Sequence, residues 1–116
     1  MPRKSFPLSD VYGLLEPGPV VLLTTWQEGR PDVMAQSWHT MLEFEPPLIG
    51  CVISDRNYSF AALEANGECV INIPTAEIAL AVAGCGNASG EDTDKFALFG
   101  LSTQAAACVR APLIAE

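Results

Sequence analysis

Residues 33–54, VMAQSWHTMLEFEPPLIGCVIS, decide how the rest of the chain is interpreted. They predict two strands, 33–42 and 48–54, joined by an acidic corner whose two prolines cannot continue a strand ladder. An unpaired buried donor or acceptor costs about 1–3 kcal/mol, so hydrogen-bonding side chains inside a strand need partners. Those partners are either other protein groups or the edge of a bound ligand. The first strand carries a run of such side chains: Gln36, Ser37, Trp38 and His39.

Two more strands are predicted outside this stretch. A β-branched, apolar segment at 20–26 predicts a strand, and a polar turn at 27–32 centred on Gly29 connects it to the strand that follows. Residues 68–74 predict a fourth strand. The near-continuous apolar run at 48–54 indicates a strand that is buried on both faces.

The remaining segments predict short helices. A helical turn at 11–16 is expected to end at Pro17 and Gly18, and residues 101–116 predict at most one weak strand. Most of the helices follow the strands without regular alternation. The pattern therefore favours a mainly β fold, a small antiparallel barrel with peripheral helices, over a doubly wound sheet. Three longer helices are predicted, each with a glycine as its C-terminal stop: 55–66 (Gly67), 75–84 (Gly84) and 92–99 (Gly100).

Length and composition indicate one domain. The 116 residues, 49% apolar and 17% charged, match a globular domain with a single core. Residues 1–10 are interpreted as an N-terminal tail and residues 11–116 as the domain. The tail is basic at Arg3 and Lys4 but has no apolar stretch behind it. This argues against a secretory signal and predicts a cytoplasmic protein.

The net charge of −8 excludes two classes of partner. Nucleic acids and anionic membranes need a basic surface, which 6 lysines and arginines against 14 acidic residues do not offer. No apolar run reaches about 18 residues, so no membrane-spanning segment is predicted. If the protein binds an anion, Arg56, Lys95 and Arg110 are the cations outside the tail and the hairpin turn.

The four cysteines do not form a metal site in the sequence. Their spacings are long, no CxxC occurs, and the single histidine, His39, cannot complete a zinc set. Cys51 and Cys69 lie in strand-like runs and are expected to be buried thiols. Cys85, within a glycine-rich loop, is expected to be exposed and reactive.

A candidate anion site lies where the strand at 48–54 passes into the next helix. The start of a helix offers free N–H groups and the positive end of its dipole, which both suit a phosphate. Arg56, Asn57 and Ser59 supply further donors at this junction. The alternative is an ordinary capped helix with a solvated arginine. Lys95 is either a second phosphate-binding cation or a surface lysine.

Other motifs carry less information. Residues 84–90, GCGNASG, fit neither the dinucleotide nor the mononucleotide glycine pattern, and a helix rather than a strand is predicted before them. Asn72 either binds backbone groups across a barrel seam or contacts a ligand. The lone His39 is interpreted as structural, and no catalytic residue is predicted. A cofactor would therefore supply any difficult chemistry.

Seven segments of the chain carry a resemblance through their order and spacing. They are PGPVVLLTT (17–25), VMAQSW (33–38), EPPLIGCVIS (45–54), SDRNYS (54–59), GECVINIP (67–74), GCGNASGEDTDKF (84–96) and APLIAE (111–116). Together they resemble the flavin reductase-like, FMN-binding split-barrel family, which includes flavoredoxin-like proteins. The resemblance covers nearly the whole chain.

This resemblance implies an antiparallel Greek-key split β-barrel that works as a homodimer, with FMN near the subunit interface. Family members usually extend further, so the barrel is expected to be incomplete here, with the C-terminal part of the family domain missing. No metal site is implied. The implied cofactor-binding residues fall into a ring-edge group, a phosphate group and one further residue near the flavin: Ala35, Gln36 and Ser37; Ser54, Arg56, Ser59 and Lys95; and Asn72.

Three functions follow as hypotheses. The first is an FMN-dependent oxidoreductase in which NAD(P)H reduces the flavin, which then reduces free flavin, ferric iron or another acceptor. The second is a flavoredoxin-like electron-transfer protein that holds FMN without a nicotinamide site. The third is an inactive fragment or binding module. No feature of the sequence separates the first two.

Overall fold

A computed structural model describes residues 2–15 and 18–116 of the chain. Its helices, apart from two short 3₁₀ turns at Leu8–Asp10 and Ala76–Ile78, are α1 (Tyr12–Leu15), α2 (Tyr58–Asn66), α3 (Ala79–Asn87) and α4 (Lys95–Phe99). Its strands are β1 (Val21–Gln27), β2 (Arg30–Gln36), β3 (His39–Glu43), β4 (Leu48–Cys51), β5 (Val70–Asn72), β6 (Thr103–Gln104) and β7 (Leu113–Ile114).

The central sheet consists of three antiparallel strands in the order β2-β1-β5. β1 and β2 form a hairpin in which Gln27 pairs with Arg30. Glu28 and Gly29 both have positive φ, as a two-residue hairpin turn requires. The predicted turn at 27–32 is therefore shorter in the structure, because β2 already begins at Arg30. β2 is an edge strand of this sheet.

The predicted strand at 33–42 is wrong in one respect, since the chain leaves the sheet after Gln36 and pairs again from His39. At the break, the Gln36 amide donates to the carbonyls of Trp38 and Val52, and Val52 N donates to Trp38 O at 2.9 Å. These bonds replace a regular ladder. A polar side chain thus ends the strand where the apolar pattern alone would continue it.

β3 and β4 form a separate two-stranded ribbon. The corner between them includes a cis Glu45–Pro46 peptide bond. The prediction that 48–54 is buried on both faces is wrong, because the ribbon is covered by no other sheet of the described chain and most of its apolar side chains are exposed. The exposed ones include Met41, Leu42, Leu48, Ile49 and Val52. The strand whose apolar run is buried is β1 instead.

The three longer helices begin three or four residues later than predicted, and two of them end as predicted. Gly67 and Gly100 have left-handed backbone conformations and end α2 and α4, as predicted. Gly84 does not end α3, which continues to Asn87. A Cβ at position 84 would overlap the ring of Phe99, so this glycine lets α3 and α4 approach each other. Its role is packing rather than termination.

The core lies between the central sheet and helices α3 and α4. Its buried centre is a cluster of five residues: Leu22, Val33, Cys85, Phe96 and Leu101. The prediction that Cys85 is exposed is therefore wrong, because the helix that replaces the expected loop turns this thiol inward. Cys51 and Cys69 are half-buried rather than buried, and Cys108 is exposed.

The short hairpin β6–β7 joins the central sheet through side chains. Ile114 N donates to Asn72 Oδ1 at 3.0 Å, and Thr24 donates its hydroxyl to Pro112 O. Within residues 2–15 and 18–116 the strands form three antiparallel sheets and no closed barrel. The predicted mainly β fold with peripheral helices is confirmed, in its incomplete form.

Two points concern the chain as a whole. Where the helix at 11–16 was expected, α1 covers Tyr12–Leu15, and its predicted end at Pro17 falls outside the described residues. None of the helices in the described part of the chain is long and apolar enough to cross a membrane.

Candidate functional site

Two adjoining clefts follow the edge strand β2. The first, called the polar cleft, encloses about 150 Å3 between β2 and helices α2, α3 and α4. The second, called the edge cleft, encloses about 260 Å3 between the end of β2 and the segment after β4. Met34, Ala35 and Asn57 line both. Seven of the eight residues predicted to bind a cofactor line one cleft or the other: Ala35, Gln36, Ser37, Ser54, Arg56, Ser59 and Lys95.

The start of α2 forms one wall of the polar cleft. Asn57 is the N-cap residue, but its side chain does not cap the helix. Its Oδ1 accepts from Ser54 N at 3.1 Å instead, and Ser54 Oγ accepts from Arg56 N at 3.2 Å. The first turn of α2 is therefore left without a side-chain cap. The N–H groups of Tyr58 and Ser59 can receive an anion, whereas Phe60 N already donates to Asn57 O at 3.1 Å. The Arg56 side chain is exposed at the rim.

Ser59 occupies the inner part of the polar cleft and is buried. Its hydroxyl donates to Asp32 Oδ2 at 2.9 Å, and Asp32 is buried as well. Strand alternation puts Asp32 on the same face of β2 as Met34 and Gln36, toward α2. A carboxylate therefore shares the cleft with the groups that suit an anion.

Lys95 is not a surface lysine, since only 5% of it is exposed. Its ammonium donates to Val33 O at 2.8 Å and to Cys85 O at 3.1 Å. These bonds connect β2 to α3 and bring a positive charge to the floor of the polar cleft. An ammonium has three donors, so one remains beyond these two contacts.

The Cys85 thiol lies between these charges. Burial raises its pKa, the nearby Lys95 ammonium lowers it, and the Asp32 carboxylate raises it again. Burial is the largest of these influences. Since the thiolate is the reactive form, the protonated and buried Cys85 is expected to be inert.

Arg30 lies beside the polar cleft and binds the loop that lines it. Its guanidinium donates to the carbonyls of Gly90 and Thr93 and lies 5.7 Å from the centre of the Tyr58 ring. These contacts hold the loop after α3 against β2 and α2. Gly90 packs so closely on Asp32 that a Cβ there would overlap its carboxylate. The loop thus confines Asp32 to its place.

Gln36 marks the edge cleft. Its amide nitrogen donates to the carbonyls of Trp38 and Val52, while its Oε1 is buried and has no partner in the structure. An unpaired buried acceptor is costly, so this oxygen suits a donor from outside the chain. Trp38 and Val52 form the apolar walls beside it.

Asn72 lies outside both clefts. β1 separates it from β2, and its amide donates to Leu22 O at 3.0 Å and accepts from Ile114 N. Of the two roles that the sequence left open, backbone bonding is the one the structure displays. His39, interpreted as structural, is in contact with Pro19 O through Nε2 at 2.8 Å.

Two residues were not anticipated: Asp32, which lines the polar cleft, and Arg30, which holds the loop beside it. Both fell in the segment 27–32 that was interpreted as a polar hairpin turn, and both belong to β2. The available signal was the hairpin itself: a two-residue turn at Glu28–Gly29 would have placed Asp32 opposite Thr25, inside the ladder. A carboxylate at such a position needs a buried partner.

Sequence and structure comparisons decide the family. A family model described as "Flavin reductase like domain" matches residues 14–116. The chain belongs to this family. The flavin reductase-like chain is also similar to an uncharacterized protein of Escherichia coli (strain K12), YddH, with 33% identity over 89% of this chain and 56% of that protein. An uncharacterized protein of Archaeoglobus fulgidus is 31% identical over 93% of this chain and 62% of its own length.

Solved structures agree with the family. The flavin reductase-like chain superposes on flavoredoxin of Desulfovibrio vulgaris (Miyazaki F) with a TM-score of 0.82 and 31% identity, covering 86% of this chain and 55% of that one. An FMN-binding domain of a flavin reductases-like enzyme from Shewanella baltica OS155 gives a TM-score of 0.81 and 28% identity, over 96% of this chain and 59% of that one. The split-barrel prediction is confirmed. The chain spans about 56–62% of the curated relatives quoted above.

Proposed function

We propose that this chain is an FMN-binding oxidoreductase, with the flavin ring in the edge cleft and the phosphate in the polar cleft. One observation carries the proposal: the two clefts meet at Ala35, and only one of them ends in cations and free helix N–H groups. A ligand with a flat polar ring at one end and a phosphate at the other matches this layout. Solved relatives that bind FMN support the choice.

The donor set fits the phosphate end. Arg56 at the rim, the uncapped first turn of α2 and the buried Lys95 provide positive charge from three directions. Phosphate at a helix start combines hydrogen bonds from N–H groups with the favourable end of the helix dipole. Ser54, at the turn before α2, lines the neighbouring edge cleft.

The edge cleft fits a ring with its own N–H donor. The unpartnered Oε1 of Gln36 would accept from such a donor, and Ala35 and Ser37 flank it along the chain. Only the family resemblance supports a place for Asn72 near the flavin, because β1 lies between Asn72 and both clefts.

Bound FMN would supply the hydride and electron transfer, with NAD(P)H as donor and free flavin or ferric iron as acceptor. The residues of this chain bind and orient: Arg56 and the start of α2 hold the phosphate, and Gln36 fixes the ring edge. Trp38 and Val52 exclude water from one side of the edge cleft. No acid or base in either cleft is needed for proton transfer in this scheme.

The similarity to flavoredoxins supports a second candidate, an FMN electron carrier without a nicotinamide site. Rapid mixing of the FMN-loaded protein with NADH or NADPH under anaerobic conditions distinguishes the two. A reductase loses its yellow colour within seconds, whereas a carrier stays yellow with either nucleotide. The second result would leave FMN binding intact and remove the reductase proposal.

Arg56→Ala tests the placement of the phosphate. Loss of a charge-assisted hydrogen bond should weaken FMN by about tenfold or more and leave riboflavin nearly unchanged, because riboflavin has no phosphate. Flavin fluorescence titration measures both affinities. Arg3→Ala, which removes the same charge from the exposed tail, is the control and should change neither. Equal losses for the two flavins would contradict the placement, and wild-type protein that binds neither flavin would support the binding-module hypothesis.

A homodimer is part of the same proposal. The β3–β4 ribbon exposes a row of apolar side chains, and Trp38 and Val52 connect that row to the edge cleft. A second copy that covers the ribbon would also enclose the flavin ring. Ile49→Lys should therefore convert a dimer into a monomer in sedimentation velocity, whereas Leu80→Lys, at an exposed position of α3, should not. Wild-type protein that sediments as a monomer at all concentrations would contradict this part.

A further inference from the structure

The Ser59 hydroxyl already donates a hydrogen bond inside the polar cleft. Its proton goes to Asp32 Oδ2 at 2.9 Å, and both residues are buried. A hydroxyl that donates to a carboxylate has only lone pairs left for a third group. Toward a ligand in the cleft, Ser59 is therefore an acceptor. A phosphate dianion also offers only acceptors, so these two groups do not form a hydrogen bond.

The charges in the polar cleft also make it less favourable for a phosphate. Arg56 at the rim and Lys95 at the floor are positive, but Asp32 is negative and lines the same small space. Two of the three Lys95 donors already serve the carbonyls of Val33 and Cys85. The cleft therefore attracts a phosphate less strongly than its two cations alone would.

Asp32 is prevented from turning away. Gly90 packs directly against its carboxylate, and the Arg30 guanidinium holds the Gly90 carbonyl in place. Since Ser59 closes the other side, the carboxylate stays in the cleft when a ligand enters. Relief of the repulsion would require movement of the loop after α3.

We propose that Asp32 is a specificity-determining residue that lowers the affinity of the polar cleft for a phosphate dianion. This rests on the proposed FMN site and adds a consequence to it: flavin enters and leaves rather than remaining bound. A protein of this kind discriminates weakly between FMN and riboflavin.

The wild-type protein gives the first test. At pH 8, where the phosphate is a dianion because its second pKa is about 6, FMN and riboflavin should bind within about tenfold of each other. Flavin fluorescence titration measures the two dissociation constants. A preference for FMN of about a hundredfold or more would overturn the proposal without any variant.

Asp32→Asn gives the second test. The substitution keeps the shape of the side chain, removes the negative charge and replaces the carboxylate that accepts the Ser59 proton by a neutral amide, which competes less strongly with a phosphate for that proton. The preference for FMN over riboflavin should rise by about tenfold to a hundredfold, the range of one charge-assisted hydrogen bond. Inorganic phosphate should also compete more effectively with FMN. A purely structural role would change both flavins equally.

Two further variants complete the test. Asp92→Asn removes the same charge from an exposed position of the same loop and should leave the preference unchanged. Ser59→Ala should reduce the preference for FMN mainly in the Asp32→Asn background, where the Ser59 proton is held less strongly. An unchanged preference in Asp32→Asn overturns the role of Asp32 while FMN binding stands, whereas wild-type protein that binds no flavin overturns the proposed function itself. If Asp32→Asn does not fold, the wild-type preference decides.

Discussion

The central sheet and the β3–β4 ribbon contain similar apolar residues, which are buried in the sheet and exposed in the ribbon. In the central sheet, helices α3 and α4 cover the side chains of β1 and β2, so that Leu22 and Val33 are completely buried. In the ribbon, Met41, Leu48 and Ile49 remain exposed. Both regions follow strand patterns, and only the first has a cover within the described chain.

The difference shows that an apolar strand is buried only where another element can reach it. The polar turn before β2 keeps β1 and β2 together, and the helices that follow β5 return to that pair. The chain leaves the central sheet at the break after Gln36, before the ribbon begins at His39. The stability of the chain should therefore reside mainly in the central sheet, while the ribbon is available for assembly.

The largest expected effect comes from one leucine in each region. Leu22→Ala should lower the free energy of unfolding by about 2–5 kcal/mol, because it leaves a cavity in the core. Leu48→Ala, in the ribbon, should lower it by no more than about 0.5 kcal/mol. Urea unfolding at low protein concentration measures both. Similar losses would show that the ribbon is covered in solution, and the contrast between the regions would disappear.

A smaller effect is expected from two glycines of α3. Gly84→Ala introduces a methyl group where the Phe99 ring lies and should cost about 1–3 kcal/mol of stability. Gly86→Ala is the matched control: its Cβ would lie 3.4 Å from the Ala35 Cβ, an ordinary contact. Because alanine favours a helix over glycine, it should be neutral or stabilising by up to about 1 kcal/mol. Thermal unfolding compares the two. Equal behaviour would mean that α3 and α4 do not pack as described.

The third prediction concerns the reactivity of the cysteines rather than the stability of the fold. Native protein treated briefly with iodoacetamide should be alkylated first at Cys108, more slowly at Cys51 in the ribbon, and last at Cys85 beneath the helices. Burial raises the pKa of both Cys51 and Cys85, so less thiolate is present at neutral pH, and both rates should increase as the pH rises. Peptide mass spectrometry gives the order. Early modification of Cys85 would show that the helices separate readily from the sheet.

Local patterns were sufficient for most of the fold. The strand at β1 followed from its β-branched residues, and the ends of α2 and α4 followed from Gly67 and Gly100, where only left-handed backbone can form the cap. Gly84 carried the same local signal and had a different role. The Phe99 ring that requires it comes from another helix, and a local pattern does not contain such a contact.

The site was predictable in composition but not in arrangement. Arg56 and Ser59 stand where a helix start was predicted, and Lys95 was considered as a cation, but their common cleft depends on β2 lying between α2 and α3. No neighbouring residue in the sequence indicated that Lys95 is buried. The two carbonyl groups that it binds belong to Val33 and Cys85, which are 62 and 10 residues away. The roles of these residues in binding FMN stay predictions.

Asn72 and Thr24 attach the β6–β7 hairpin through side-chain hydrogen bonds, whereas main-chain bonds hold β5 in the central sheet. Main-chain ladder bonds carry no sequence information themselves, and a slip of two residues keeps each side chain on the same face of the sheet. The β6–β7 hairpin is fastened instead by the Asn72 amide at Ile114 and the Thr24 hydroxyl at Pro112. An amide side chain imitates a peptide group at one fixed point. The docking of this hairpin therefore depends partly on side chains at fixed positions, and replacement of Asn72 by an apolar residue would remove the acceptor for Ile114 N.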